Sequence, residues 1–274
     1  MKTRVIAALS LLPVFLLILL ACPVWTTAVL VAAMSAFAVY ELLITAGLLK
    51  NIRIAVYSAV TAAAISLWSG FGCSAVWGAA IVFLYFVALF AEFLAAQTNL
   101  PLHKLCVAAF AALAVPYMLS AMVRILYMEQ GRFYIIVALI LAFTSDTGAY
   151  FAGRKFGKHK LAPVISPHKT VEGFVGGIVS CVVFMLVYCL VLQVAFKFTV
   201  DYVSALIYGI LGSLGSVMGD LVFSVIKRQS GIKDFGKLMP GHGGVLDRFD
   251  SMVVVAPLTE LLRMVLPLIV KGNV

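Results

Sequence analysis

Between residues 224 and 250 the chain reads SVIKRQSGIKDFGKLMPGHGGVLDRFD, a polar stretch flanked by long apolar runs. It gathers the cations Lys227, Arg228, Lys233, Lys237 and Arg248 beside Asp234, Asp247 and Asp250, with a His242-Gly243-Gly244 turn between them. A bilayer protein keeps charge at the lipid boundary where something polar is handled. Cations, hard carboxylate ligands and flexible glycines together suit a phosphate compound held with a metal ion. Asp247 and Asp250 stand three apart at the start of the next apolar run, so they can share a face. A solvated loop whose aspartates favour a helix N-terminus accounts for Asp250 as well, but less readily for Asp247.

Three further groups of polar residues lie upstream. Asp146, Tyr150 and Arg154 recur every fourth residue and share a helix face. Asp146 falls inside an apolar run, where an ionisable group is a functional candidate, although a packing carboxylate neutralised by Arg154 or a nearby lysine would look the same. Next comes Ser166-Pro167-His168-Lys169-Thr170-Val171-Glu172-Gly173. Pro167 stops any earlier helix, Thr170 or Ser166 can cap the following one, and Glu172 suits its first turn. Capping leaves His168-Lys169 unexplained, and a cation beside a helix N-terminus forms a phosphate cradle. The third group is Gly212, Ser216, Asp220, Ser224 and Arg228, again at intervals of four, with Gly215, Gly219 and Lys227 nearby. Close packing through small residues explains the glycines. It does not explain Asp220, which needs a cation such as Lys227 or a metal ion.

The elements that must position these residues are membrane helices. The 274 residues are 64% hydrophobic and 11% charged, with mean hydropathy +1.13, far from the composition of a soluble domain. The long apolar runs lack the alternation of a barrel, so the fold class is all-α, a polytopic membrane helical bundle. About nine spans of roughly 20 residues are expected, near 4–22, 25–49, 53–70, 74–97, 102–124, 131–152, 172–196, 203–226 and 251–270. One membrane domain covers 1–274. Its N-terminal helices (1–130) carry few motifs, and its C-terminal half (131–274) carries the chemistry, with cytoplasmic loops near 153–171 and 227–250. With the N-terminus in the cytoplasm, fifteen Lys and Arg fall on that side and four opposite, a positive-inside asymmetry. This also explains most of the net charge of +9 without nucleic acid. The first apolar run ends in Leu19-Leu20-Ala21-Cys22, like a lipoprotein cleavage box, yet is long enough to be a retained span. The five cysteines, Cys22, Cys73, Cys106, Cys181 and Cys189, are read as small buried hydrophobes, without zinc spacing.

With these residues in view, the chain resembles the phosphatidate cytidylyltransferases, or CDP-diacylglycerol synthases. Their signature is carried here by Ser224, Lys227, Arg228, Lys233, Asp234, Gly236, Pro240, His242, Gly243, Gly244, Asp247, Arg248 and Asp250. Met239 replaces the usual Leu, Ile or Phe, a volume-conserving exchange. The motifs at Asp146–Tyr150 and Ser166–Gly173 are similar to the family's too. The N-terminal half resembles the family only in hydropathy. The resemblance implies that CTP and phosphatidate, taken from the cytoplasmic leaflet, give CDP-diacylglycerol and pyrophosphate. It implies Mg2+, with room for a second metal ion, and a homodimer. Asp220 and Asp247 are expected as metal ligands. Asp146 is a third ligand or a contact to nucleotide or headgroup. Lys169, Lys227, Arg228 and Arg248 are assigned to phosphates, with Lys233 a further substrate contact. Ser224 is assigned to a phosphate or metal-bound water, and His242, Gly243 and Gly244 to a loop over the nucleotide. A bacterial cytoplasmic membrane is the expected location. The alternatives are a CTP-dependent polyprenol kinase, a cytidylyltransferase for another lipid, and an anion transporter. The crowding of motifs into one half speaks against the transporter. Glu41, Glu92, Glu260 and Arg263 also lie within spans. Glu260 and Arg263, three apart, can pair, while Glu41 and Glu92 are unranked.

Overall fold

In hydrocarbon no water satisfies a free N–H or C=O, so a chain this apolar closes its backbone bonds within helices. The computed structural model describes residues 13–97, 99–236 and 243–270. Seven of its helices are long and apolar enough to cross a membrane: α1 (Val24–Thr45), α2 (Ile52–Gly70), α3 (Ala75–Ala96), α4 (Leu102–Tyr127), α5 (Gly131–Phe156), α6 (Val171–Phe196) and α7 (Tyr202–Gln229). The protein is a multi-pass membrane protein. An eighth helix, α8 (Leu246–Val265), has the length but carries Asp247, Arg248, Asp250, Glu260 and Arg263. It starts five residues before the expected 251, so Asp247 and Asp250 lie inside its first turns. It ends two residues short of Pro267, where the residue before proline is driven out of helical geometry. Of the first expected span, residues 13–20 are helical and 4–12 lie outside the described residues.

The chain divides into two compact units, Met1–Arg132 with Ile226–Phe249, and Phe133–Val225 with Asp250–Val274. In the first unit α1 packs along α2, where the buried Ser66 hydroxyl donates to Ser35 Oγ at 2.9 Å. Ser58 and the Tyr85 hydroxyl tie α2 to α3 at 2.7 Å. Glu92 of α3 accepts from Asn51, the N-cap of α2, and stands 4.0 Å from Arg53, so it is an interhelical contact. In α4 a π-helical turn (Phe110–Ala114) precedes Pro116. The widened turn relieves the clash a proline ring makes with the preceding turn. A second π-helical turn, Glu41–Thr45, ends α1 and contains the buried Glu41.

In the second unit α5 and α6 approach through small residues. A Cβ on Gly173 would stand 2.8 Å from the Ala149 carbonyl oxygen, and one on Gly177 3.0 Å from that of Ser145. Such contact lets backbones meet where lipid gives apolar side chains no reason to associate. Gly212 lies on Leu141, and Gly219 lies on the backbone of Asp250 and Ser251, which seats α7 against α5 and α8. The hairpin β1 (Lys160–Ala162) with β2 (Ser166–Thr170) joins α5 to α6 and is antiparallel. Short strands β3 (Thr199–Val200) and β4 (Ile269–Val270) also pair antiparallel. Cys181 and Cys189 are buried as expected. Cys73 and Cys106 are exposed, because one sits in the turn after α2 and the other on an outward face of α4. The Arg263 guanidinium stands over the Tyr134 ring, 5.5 Å from its centroid.

Candidate functional site

Hairpin β1–β2 brings the first polar cluster together within the second unit. Successive strand residues point to opposite faces, so His168 is exposed while Lys169 turns inward. Lys169 Nζ meets Asp220 Oδ2 of α7 at 2.5 Å, with side chains 23% and 27% exposed. One turn along α7, the Ser224 hydroxyl donates to Asp220 Oδ1 at 3.0 Å. Asp146 of α5 lies within electrostatic reach of both Asp220 and Lys169. Arg154 instead bonds the Tyr150 hydroxyl at 3.3 Å. Thr170 is the N-cap of α6, accepting from Gly173 N at 3.1 Å. Glu172 accepts from Lys158 N at 3.0 Å and meets His159 Nδ1 at 2.6 Å, fastening the chain ahead of β1 to the helix start. The capping role therefore accounts for Thr170 and Glu172, and Lys169 is left for the cluster. An apolar groove of about 960 Å³ runs along α5 and α6 past Phe143, Phe151 and Phe184 and is lined also by Lys155.

The second cluster lies within the first unit. Lys227 Nζ donates to Asp247 Oδ1 at 3.0 Å, and these side chains are only 11% and 3% exposed. Asp247 Oδ2 accepts two backbone N–H groups, from Phe235 at 2.8 Å and Gly244 at 2.9 Å. The ammonium of Lys227 also stands 5.4 Å from the Phe235 ring centroid. The local chain explains this convergence. Gly231, at φ +68°, ends α7, and Ile232 N bonds back to the Lys227 carbonyl at 3.0 Å, a Schellman-type stop that turns the backbone inward. Gly243 takes φ +87°, and a Cβ there would stand 2.8 Å from Asp247 Oδ2. Only glycine meets both demands without strain.

The structure thus brings Asp146, Lys169, Asp220 and Ser224 together, and separately Lys227, Gly243, Gly244 and Asp247. Arg228 is exposed and donates to the Ile232 carbonyl at 3.3 Å, at the end of its own helix. Lys233 and Arg248 are exposed. Lys237, Met239, Pro240 and His242 lie outside the described residues. Two participants carry no strong sequence signal. Phe235 contributes through its backbone N–H, and Glu41, two hundred residues away in sequence, accepts from Leu246 N at 3.1 Å. The one available hint for Glu41 was a carboxylate inside an apolar run.

These donors suit a hard divalent cation. Asp220, Asp146 and Ser224 offer carboxylate and hydroxyl oxygens, and the Lys169 ammonium marks a point where these carboxylates favour positive charge. Asp247 is held by its Oδ2, while Oδ1 faces Lys227 and keeps a second lone pair. Among the described residues no three His, Cys, Asp or Glu side chains gather at one point. The fit is to a partial shell of the kind Mg2+ takes, completed by water and substrate phosphates.

Comparison with known proteins bears on the chain as a whole. The model of the Cytidylyltransferase family matches residues 2–266. A phosphatidate cytidylyltransferase of Staphylococcus saprophyticus is 48% identical over 134 residues, 49% of this chain and 50% of that protein. Proteins of the same name from Staphylococcus haemolyticus and Staphylococcus aureus are 42% identical over 156 residues (57% of this chain, 58% of the relative) and 44% identical over 140 (49% and 50%). The chain spans about half the length of the curated relatives it matches. Because the family match runs almost from end to end and takes in both Asp–Lys pairs, this chain belongs to the cytidylyltransferase family.

Proposed function

We propose that this chain transfers CMP from CTP to phosphatidate, forming CDP-diacylglycerol and pyrophosphate. The observation that carries this reading is the meeting of Lys169 with Asp220, from motifs fifty residues apart, in a family of cytidylyltransferases. A phosphate and a divalent cation are the natural exchange partners of an ammonium–carboxylate pair, and a nucleoside triphosphate delivers both. The names of the staphylococcal relatives and the apolar groove beside Lys155 favour a lipid phosphate as acceptor.

The chemistry asks little of a general base. A lipid phosphate oxygen, already ionised, attacks the α-phosphorus of CTP. The bond from that phosphorus to the β-bridging oxygen breaks, and pyrophosphate leaves with the electron pair. Catalysis is then positioning and charge stabilisation. Lys169 is assigned to a phosphate, with Lys227, Arg228, Lys233 and Arg248 as further phosphate contacts and Ser224 orienting Asp220. Gly243 and Gly244 let backbone approach the nucleotide closely. Mg2+ held at Asp220, with a second ion at Asp247, would neutralise the triphosphate and the departing pyrophosphate. Asp146 supports the first of these. We place the polar loops on the cytoplasmic face of a bacterial inner membrane, on the positive-inside asymmetry, and expect a homodimer.

Purified protein incubated with phosphatidate, Mg2+ and α-labelled CTP should yield labelled lipid and free pyrophosphate. Lipid labelled only from γ-labelled CTP would make the chain a kinase. Lipid labelled by neither would overturn the proposal.

A further inference from the structure

Glu41 is a buried carboxylate that the reaction above leaves unused. It is 4% exposed and sits in the π-helical turn that ends α1, where Ala46 N reaches back to the Glu41 carbonyl at 2.9 Å. Single π turns inside helices recur at functional positions because they turn a side chain out of the regular α register. Here the carboxylate reaches the polar stretch of the same unit. Oε2 accepts from Leu246 N at 3.1 Å. A Cβ on Gly236 would come within 2.7 Å of Glu41 Cδ, and one on Gly244 within 2.6 Å of Glu41 Oε1. Oε1 is buried with no hydrogen-bond partner among the described residues. One carboxylate thus touches Gly236, Gly244 and Leu246, and these positions flank the two N–H groups, Phe235 and Gly244, that hold Asp247.

We propose that Glu41 is a positioning residue: it fixes the backbone at Gly236 and at Gly244–Leu246, and through it the orientation of Asp247 toward Lys227. A buried acidic group in an apolar helix is costly, and a packing role would be filled better by leucine. The carboxylate is kept for its acceptor oxygen. Two motif glycines are then small because a side chain from another helix occupies the space beside them. The inference rests on the cytidylyl-transfer reading for its kinetic consequence only.

The test compares Glu41→Gln, Glu41→Leu and Glu41→Ala in the full chain. Among the described residues only Oε2 accepts a hydrogen bond, so glutamine should keep turnover and both KM values within about threefold of wild type. Leucine fills the space but leaves Leu246 N–H unbonded, and alanine leaves both space and donor empty. Both should raise KM for CTP by about tenfold or more, with KM for phosphatidate little changed. Trypsin cleavage after the exposed Arg228 and Lys233 gives a readout that needs no substrate. It should accelerate in the leucine and alanine variants and not in the glutamine variant. If leucine performs as well as glutamine in both measurements, Glu41 is packing alone and the proposal fails. If wild type forms no labelled lipid while the cleavage pattern holds, the reaction assigned to the protein is wrong and the positioning role stands.

Discussion

Among the described residues each of the two units holds one aspartate–lysine pair, and the pairs differ in what surrounds them. Lys169–Asp220 is about a quarter exposed, and its aspartate is steadied by a single side chain, Ser224. Lys227–Asp247 is almost closed off, and its aspartate is clamped by two backbone N–H groups. The first pair keeps about a quarter of each side chain open, so its groups can exchange partners with a ligand. The second pair has lost its hydration, so each charge depends on the other and on the backbone. The same residue types therefore make a partly open pair in one place and a closely held pair in the other.

The largest expected effect separates them on activity. Asp220→Asn should reduce CTP-dependent lipid labelling by about 100-fold or more while shifting stability by no more than about 1 kcal/mol. Near-normal turnover, or a melt showing gross unfolding in detergent, would break the contrast. Asp247→Ala should instead cost about 3–5 kcal/mol, because it strands the Lys227 ammonium and two backbone donors. A double variant, Lys227→Met with Asp247→Leu, should recover part of that stability but no activity, since a buried pair can be replaced by apolar groups while one half alone cannot. A double variant less stable than Asp247→Ala would show that the pair is not the coupled unit described here.

A third carboxylate sets the lower end of the scale. Asp201 caps α7 through Val203 N at 3.0 Å and the Ser204 hydroxyl at 2.7 Å, and these bonds hold its carboxyl below the usual carboxylate range. A depressed folded pKa means stability that is present above the unfolded value and lost as pH falls through the folded one. Asp201→Ala should lower the melting temperature slightly at neutral pH. The difference from wild type should vanish in acid below that range, with activity unchanged throughout. A difference that persists in acid would remove the capping explanation.

Much of this arrangement was legible in the chain itself. Runs near 25–49, 53–70, 74–97, 102–124, 131–152, 172–196 and 203–226 correspond to α1 to α7 within a few residues, because hydrocarbon leaves an apolar run no other form. The four-residue spacing of Asp220 and Ser224 became a hydrogen bond, as helix geometry requires. The last helix was misjudged at both ends, since its polar first turns and its stop before Pro267 do not follow hydropathy. Lys227, read as the cation near Asp220, turns to Asp247 twenty residues later.

By itself the sequence determined which long runs are helical and which residues are too costly to leave unpartnered in lipid, because those are local consequences of composition and spacing. The tertiary structure decided who partners whom. Nothing local sends Lys169 to Asp220, Lys227 to Asp247, or Glu41 to Leu246. Those choices depend on which helices pack closely enough for a buried charge to find a counterpart, and that is a property of the folded whole.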